Sequence, residues 1–274
     1  MIKTGAKCSG MRKYFFSFGI FILLYVVGTV LPLEVTPHYY NAMARVWNWT
    51  EILVLLLGIY YIVKTRTFRW KQAVVAVSLG AVCLISLFRD SRTAEILVTS
   101  VCAAVAFYSA CRLYELAEAE NPTIHAGVTG SIRYFSLGAV ISVPLAFLNV
   151  LYFSFSREIA VRNVLSSAVF ALKPAIAEEV VFRFFLLAYA SYLFREKAQQ
   201  RFIHVAILCL LVIPHDVIHY PDLFLRSPGL AVGMCVLNGI IFGLPMALLM
   251  KKKNLQMAVG MHWFIDFVRF SAGF

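Results

Sequence analysis

Charge is scarce in this chain. Only 14% of its residues are Asp, Glu, Lys or Arg, and acidic residues number 14 against 25 basic ones. A soluble domain is about a quarter charged and about half apolar, whereas here 61% of residues are hydrophobic and the mean hydropathy is +0.79. That balance indicates a polytopic membrane protein. The alternating pattern of a membrane barrel is missing too, because the apolar stretches are long and continuous, so the fold expected is all-α. The six cysteines form no CxxC pair, which removes a zinc ribbon and a disulfide framework and leaves free thiols within apolar segments. HExxH is absent, and with it the usual helical zinc-protease signature. No Ser or Thr stands in an obvious nucleophile motif beside the polar residues described below, which argues against acyl-enzyme chemistry. In a soluble protein a net charge of +11 would suggest nucleic acid. In a membrane protein basic loops facing anionic headgroups account for it, and no nucleic-acid partner is expected.

What is present is a series of apolar spans near residues 14–33, 51–63, 72–88, 94–111, 134–155, 166–194, 202–220, 230–250 and 255–273. They predict a transmembrane bundle of about eight to nine helices. A basic start (Lys3, Lys7, Arg12, Lys13) precedes an apolar run without a small-x-small cleavage site, so a retained first helix is expected. With the N-terminus cytoplasmic, the denser basic clusters, such as Lys64 to Lys71 and Lys251 to Lys253, fall on the cytoplasmic side. The scattered Arg45, Arg89, Arg92, Arg157, Arg162 and Arg226 fall opposite. The location expected is therefore the cell (inner) membrane, crossed several times. Lys173-Pro174 is expected to break the long sixth span, and 112–133 reads as a helical extension running into a solvated linker. Glu51 and Glu95 sit at span edges, where solvation is cheap. The first five spans then hold no internal ionisable group; the division expected is scaffold helices, 1–133, and a functional bundle, 134–274, which takes in the fifth span.

Every intramembrane polar group falls between Lys173 and Arg269. The centre is Glu178-Glu179-Val180-Val181-Phe182-Arg183. On a helix Glu179 and Arg183 share a face at i,i+4 and pair, while Glu178 points about 100° away. His215 and His219 repeat the i,i+4 spacing, as do His262 and Asp266. A carboxylate sunk in hydrocarbon is expensive, and by default it marks function. One glutamate as general base for water, an arginine orienting the other, and imidazoles to share the water or meet a developing oxyanion are the parts of a hydrolase that activates water directly. A shared pocket is expected from the co-occurrence of these groups on three successive segments. Taken singly each has a bland reading: Arg183 as a structural partner of Glu179, His215 and His219 as interfacial residues at a helix end, and Asp266 as the partner of Arg269.

Glu178-Glu179-xxx-Arg183 resembles the EExxxR motif of the CPBP family, the CAAX prenyl endopeptidases and bacteriocin-processing intramembrane proteases. His219, with Pro221 following, is similar to the second motif, although the aromatic expected four residues earlier is replaced by His215. Reading the motif on His215 instead puts Leu211 there. His219 is favoured on the strength of Pro221, with His215 as its rival. His262-xxx-Asp266 is similar to the third motif. The resemblance spans roughly residues 165–270 and implies peptide-bond hydrolysis in the membrane. In it Glu178 would be the base, Glu179 and Arg183 its support, His219 a second hold on the water, and His262 with Asp266 an oxyanion-stabilising pair. The expected substrate is a prenylated or membrane-tethered protein or a small secreted peptide. No cofactor is expected, the alternative being zinc held by His219, His262 and a glutamate. The competing readings are a proton- or ion-coupled transporter, which more often places its sites across two related halves, and a non-catalytic scaffold or immunity protein. The oligomeric state is not readable from the sequence.

Overall fold

The computed structural model describes residues 9–30, 42–85, 93–122, 127–155, 157–195 and 200–274. Cys8, Lys3, Lys7, Arg89, Arg92 and Lys197 lie outside the described residues. Within the described residues all regular structure is helical. The helices are α1 Ser9–Val30, α2 Ala42–Thr65, α3 Trp70–Leu84, α4 Thr93–Ala117, a bent α5 (Gly127–Ile141 and Val143–Ser154, 49° apart), a short α6 Val164–Phe170, α7 over 172–194, α8 Arg201–Val217, a short α9 Pro221–Arg226, α10 Pro228–Lys252 and α11 Leu255–Ser271. Four of them, α1, α2, α4 and α10, are long and apolar enough to cross a membrane, and α5 adds a fifth if its bent halves form one span. Apolar side chains such as Phe15, Leu56, Val77, Phe147 and Ile240 are exposed on their outer faces, as lipid-facing positions require.

Two expectations about the elements need correction. The break before the glutamates falls at Ala171, between α6 and α7, and not at Lys173-Pro174. Pro174 sits in the first turn of α7, where its missing N–H has no intrahelical partner to lose. Glu51 is not at a span edge either. Helix α2 starts at Ala42, so Glu51 lies more than two turns in and is fully buried. The earlier turns are polar enough (Arg45, Asn48) to hide that start, and Arg45 spends its guanidinium on the end of α1, donating from Nε to the Gly28 carbonyl at 2.9 Å and from Nη2 to that of Thr29 at 3.2 Å. Nor is Arg112 part of a solvated connector: it is buried and binds Glu115 and Thr67, which pins the α2–α3 turn to α4.

The scaffold helices and the C-terminal helices share one core. Phe107 of α4 stacks on Phe184 of α7 with ring centroids 5.3 Å apart, Tyr114 meets the same ring tilted at 5.5 Å, and Trp47 of α2 meets Phe182 at 5.3 Å. Outside Lys173, Glu178, Glu179 and Arg183, helix α7 is apolar on most of its surface, as a helix at the centre of a bundle must be. Helix α11 closes against α5 at Gly260: a Cβ there would sit 2.7 Å from the Phe135 carbonyl carbon. Small residues at such crossings let backbones approach without a side chain between them. We expect Gly260→Val to push α11 off α5 and lower the yield of folded chain in detergent, read by size-exclusion chromatography. A wild-type elution profile for Gly260→Val would remove this crossing as a constraint.

Candidate functional site

Helix α7 carries the two glutamates across a change of backbone geometry. Its first turns are α-helical through Glu178, residues Glu179–Phe185 form a π-helical turn, and the α-helix resumes at Leu186. Such turns are rare and concentrate at functional sites. Here the turn keeps Glu179 and Arg183 facing one another. They pair with both side chains at 0% exposure. Glu178, one residue earlier, points to a different set of partners, as the helical phase requires.

Those partners come from α8 and α11. His215 Nε2 lies 2.7 Å from Glu178 Oε2, and because an ionised carboxylate only accepts, the imidazole N–H donates. His262 spans both glutamates: its Nδ1 donates to Glu179 Oε1 at 2.8 Å, and its Nε2 lies 3.5 Å from Glu178 Oε2 and 3.5 Å from Asp266 Oδ2. Asp266 is held in turn by Arg269, at 2.8 Å. Both bland readings of single residues therefore apply together with the cluster: Arg183 is a structural partner of Glu179, and Arg269 pairs with Asp266, yet both pairs hold groups that face the same place. The three sequence-distant turns converge.

His219 behaves differently from His215. Helix α8 ends at Val217, and a turn follows (His219 N–H to Asp216 carbonyl, 3.2 Å). The His219 Nδ1–H donates to the His215 carbonyl at 2.8 Å. Its ring stands 4.8 Å from that of His215 and lines the same cavity without touching either glutamate. Among the described residues, the donors gathered closely enough to hold a metal are Glu178, His215 and His219, all within 4.8 Å of one another.

Two residues of this site escaped the sequence reading. Asp216 is buried at 2% exposure. Its Oδ1 accepts from Asn238 Nδ2 of α10 at 3.1 Å and lies 3.4 Å from His215 Nδ1, which is also 3.4 Å from Arg183 Nη2. Room for this carboxylate is made by a second π-helical turn, Gly239–Gly243. A Cβ on Gly239 or Gly243 would sit 2.7 or 2.9 Å from Asp216 Oδ2, so any larger side chain would evict it. Asp216 is masked in the sequence by the two histidines around it, and Asn238 looks like an ordinary polar residue in an apolar run.

The cluster forms one wall of a cavity of about 310 Å³. Its opposite walls are apolar and come from α5 and α10, including Leu148, Tyr152, Leu237, Phe242 and Met246. Polar groups at one end and hydrocarbon at the other suit an amphiphilic ligand.

Residues 160–268, the segment that holds both glutamates, Arg183, His215, His219, His262 and Asp266, match the family model described as type II CAAX prenyl endopeptidase Rce1-like. No curated protein and no solved structure matches the chain with significance.

Proposed function

We propose that this chain, whose residues 160–268 belong to the Rce1-like type II CAAX prenyl endopeptidase family, is a membrane-embedded endopeptidase that uses Glu178 to activate water. The observation that carries the reading is the position of Glu178: a carboxylate on the wall of a largely apolar cavity, gripped by imidazoles from two other helices. His215 occupies one oxygen of Glu178, which leaves the other to take a proton from water. The hydroxide so formed attacks the scissile carbonyl carbon. The resulting oxyanion falls to His262 Nε2–H: with Nδ1–H given to Glu179, the second proton belongs to the imidazolium form, which Glu178, Glu179 and Asp266 surround, and the 3.5 Å contacts of Nε2 to Glu178 and Asp266 leave it the freest donor there. Glu178 then passes its proton to the departing amide nitrogen, and the peptide bond opens into a carboxylate and an amine. Glu179 and Arg183 hold His262 and His215 in register from behind. The geometry favours His215 over His219 for the second motif, because only His215 reaches the base. In this scheme the chain's own residues suffice, and no cofactor takes part.

The substrate follows from the cavity. A peptide lying with its scissile bond at the carboxylates and an apolar group between α5 and α10 is a lipid-modified or membrane-tethered tail, with a C-terminal prenylated cysteine as the simplest case. The full chain reconstituted in liposomes is expected to cleave a fluorogenic peptide bearing a prenylated cysteine near its C-terminus. Proton or cation flux in those liposomes, with no cleavage of lipidated or unmodified peptides, would overturn the reading in favour of a transporter.

Asp216 is a positioning residue in this scheme, touching His215 and not the substrate. Asp216→Ala is expected to lower kcat/KM by roughly 10–100-fold, the usual cost of removing the carboxylate behind a functional imidazole, and to act mainly on kcat. Asp216→Asn, which keeps a partner for Asn238, is expected to recover part of the loss. An Asp216→Ala variant with wild-type kcat would leave His215 positioned by Arg183 alone.

A further inference from the structure

Two polar side chains that line the cavity handle neither the water nor the oxyanion: Asn149 of α5 and Arg269 of α11. Neither lies within residues 160–268, the segment that matches the family model. We infer that Arg269 and Asn149 form a subsite for the C-terminal carboxylate of the substrate peptide, so that the endopeptidase selects chains that end a few residues beyond the scissile bond. The inference rests on the proteolytic reading of the cavity and adds to it the chemistry of the segment that leaves.

Arg269 has donors to spare. Its ion pair with Asp266 uses Nη2, 2.8 Å from Oδ1, and Nε has no hydrogen-bond partner among the described residues. A guanidinium carries five N–H donors in a planar fork that meets a carboxylate two at a time. Aromatic rings hold that plane: Cζ lies 4.7 Å from the Phe270 ring centroid and 5.6 Å from that of Phe153. The side chain is 27% exposed, so part of the fork stays open to a ligand. Asn149 supplies the second half. It is only 8% exposed and lines the cavity, yet its amide makes no hydrogen bond among the described residues. A buried amide is costly to leave unpaired; water can serve it before substrate arrives, and a peptide group then replaces that water. Asn149 and Phe153 are one turn apart on α5 and share a face, which sets the amide on the side of the cavity where Phe153 meets Arg269.

Helix α11 sets how far the carboxylate lies from the cut. His262 and Arg269 are two turns apart on it, nearly in phase, with a rise of about 10.5 Å between them. An extended peptide covers about 3.3–3.6 Å per residue, so about three residues separate a bond held at His262 from a carboxylate held at Arg269. The donor set also selects the ligand. A cationic fork beside a neutral amide suits an anion, and a C-terminal carboxylate is the anion that every unblocked peptide carries, whatever its side chains. Asp266 stands between Arg269 and His262, 2.8 Å from the one and 3.5 Å from the other. Its charge repels a carboxylate that slides towards the catalytic wall and favours one seated at the far edge of the fork.

The test uses the full chain in liposomes and two lipidated peptides that differ only in their C-terminus, a free carboxylate or a carboxamide, three residues beyond the scissile bond. Wild type is expected to cleave the acid with a kcat/KM roughly 10–100-fold above the amide, the worth of hydrogen bonds to a charged group, and the difference is expected in KM. Lengthening the tail by three residues is expected to erase the preference; a preference that survives it overturns the spacing. Arg269→Gln is expected to bring the acid-to-amide ratio close to one. Taken within one protein, that ratio is blind to any shift of Asp266 that slows both peptides alike. Arg269→Lys keeps the charge without the fork and is expected to recover part of the ratio. Asn149→Leu leaves the Asp266 pair in place and is expected to lower the ratio severalfold, so the test stands even where Arg269→Gln does not fold. A wild-type ratio close to one overturns the subsite and leaves the proteolytic reading standing, and an unchanged ratio in either variant overturns the part assigned to that residue. The same two peptides with the scissile amide N-methylated are then titrated against the chain in detergent. Acid-selective binding that is lost in Arg269→Gln, with neither parent peptide cleaved by wild type, supports the subsite and counts against proteolysis alone; equal binding of acid and amide overturns the subsite.

Discussion

Glu178→Gln is expected to abolish measurable cleavage while leaving the fold intact. Glutamine matches glutamate in shape, and its carbonyl oxygen can still accept from His215 Nε2–H, so the 2.7 Å contact and the packing of α7 survive. What disappears is the ability to take a proton. General-base assistance contributes about 10²–10⁴-fold, so kcat should fall by roughly that factor, with KM little changed because the apolar walls from α5 and α10 are untouched. Glu178→Asp separates two accounts of the loss. It keeps the charge but shortens the side chain by one methylene, which withdraws the carboxylate from His215. A steep loss there as well would mean that position, and not charge alone, sets the rate. The measurement is initial rate against substrate concentration in liposomes, with melting temperature as the control for folding. If Glu178→Gln cleaves within a fewfold of wild type, water is activated by some other group and the mechanism fails.

How far this site was legible in the sequence depends on which interactions are local. Glu179 with Arg183 and Asp266 with Arg269 are one-turn neighbours, and helical periodicity exposes them directly. His262 reaching Glu179 across 83 positions of sequence is a tertiary fact that spacing cannot supply, and only the co-occurrence of polar groups in apolar runs hinted at it. The preference for His219 over His215 rests on the resemblance, through the Pro221 that follows it; helix α8 stops at Val217, and in the turn beyond it His219 lines the cavity within 4.8 Å of Glu178 while His215 makes the direct 2.7 Å contact. Asp216 and Asn238 were invisible because their role is set by a glycine-lined π turn in α10, which leaves no mark in hydropathy. The all-helical class was plain from composition. Glu51 was misjudged, since Arg45 and Asn48 dilute the first turns of α2 and their satisfaction by neighbouring backbone and side chains is not written in the local sequence. The proposed division at residue 133 is compositional, and the core runs across it: Phe107 and Tyr114 pack on Phe184.

Arg183→Met is expected to destabilise the protein more than any substitution at the catalytic wall, even though Arg183 touches no substrate in the proposed scheme. The pair it forms with Glu179 is fully buried on both sides. Removing one member of such a pair strands the other charge in a low-dielectric interior, at a cost of about 3–5 kcal/mol. His262 Nδ1 remains on Glu179 at 2.8 Å and offsets part of it. Glu179→Gln with Arg183→Met removes both charges at nearly constant volume, and a buried ion pair replaced in this way is often close to neutral in stability. The double variant should therefore melt well above Arg183→Met alone, giving a coupling of the size that contacting residues show in double-mutant cycles. Activity should separate from stability in the same set. The double variant folds, but His262 now donates to a neutral amide oxygen in place of a carboxylate and His215 has lost the guanidinium 3.4 Å from Nδ1, so cleavage stays low. Scanning fluorimetry of the four proteins in detergent, paired with the cleavage assay, reads both quantities. If Arg183→Met melts with wild type, the pair is not the anchor of α7, and the two glutamates must be held in place by the packing of Phe182, Phe184 and Phe185 alone.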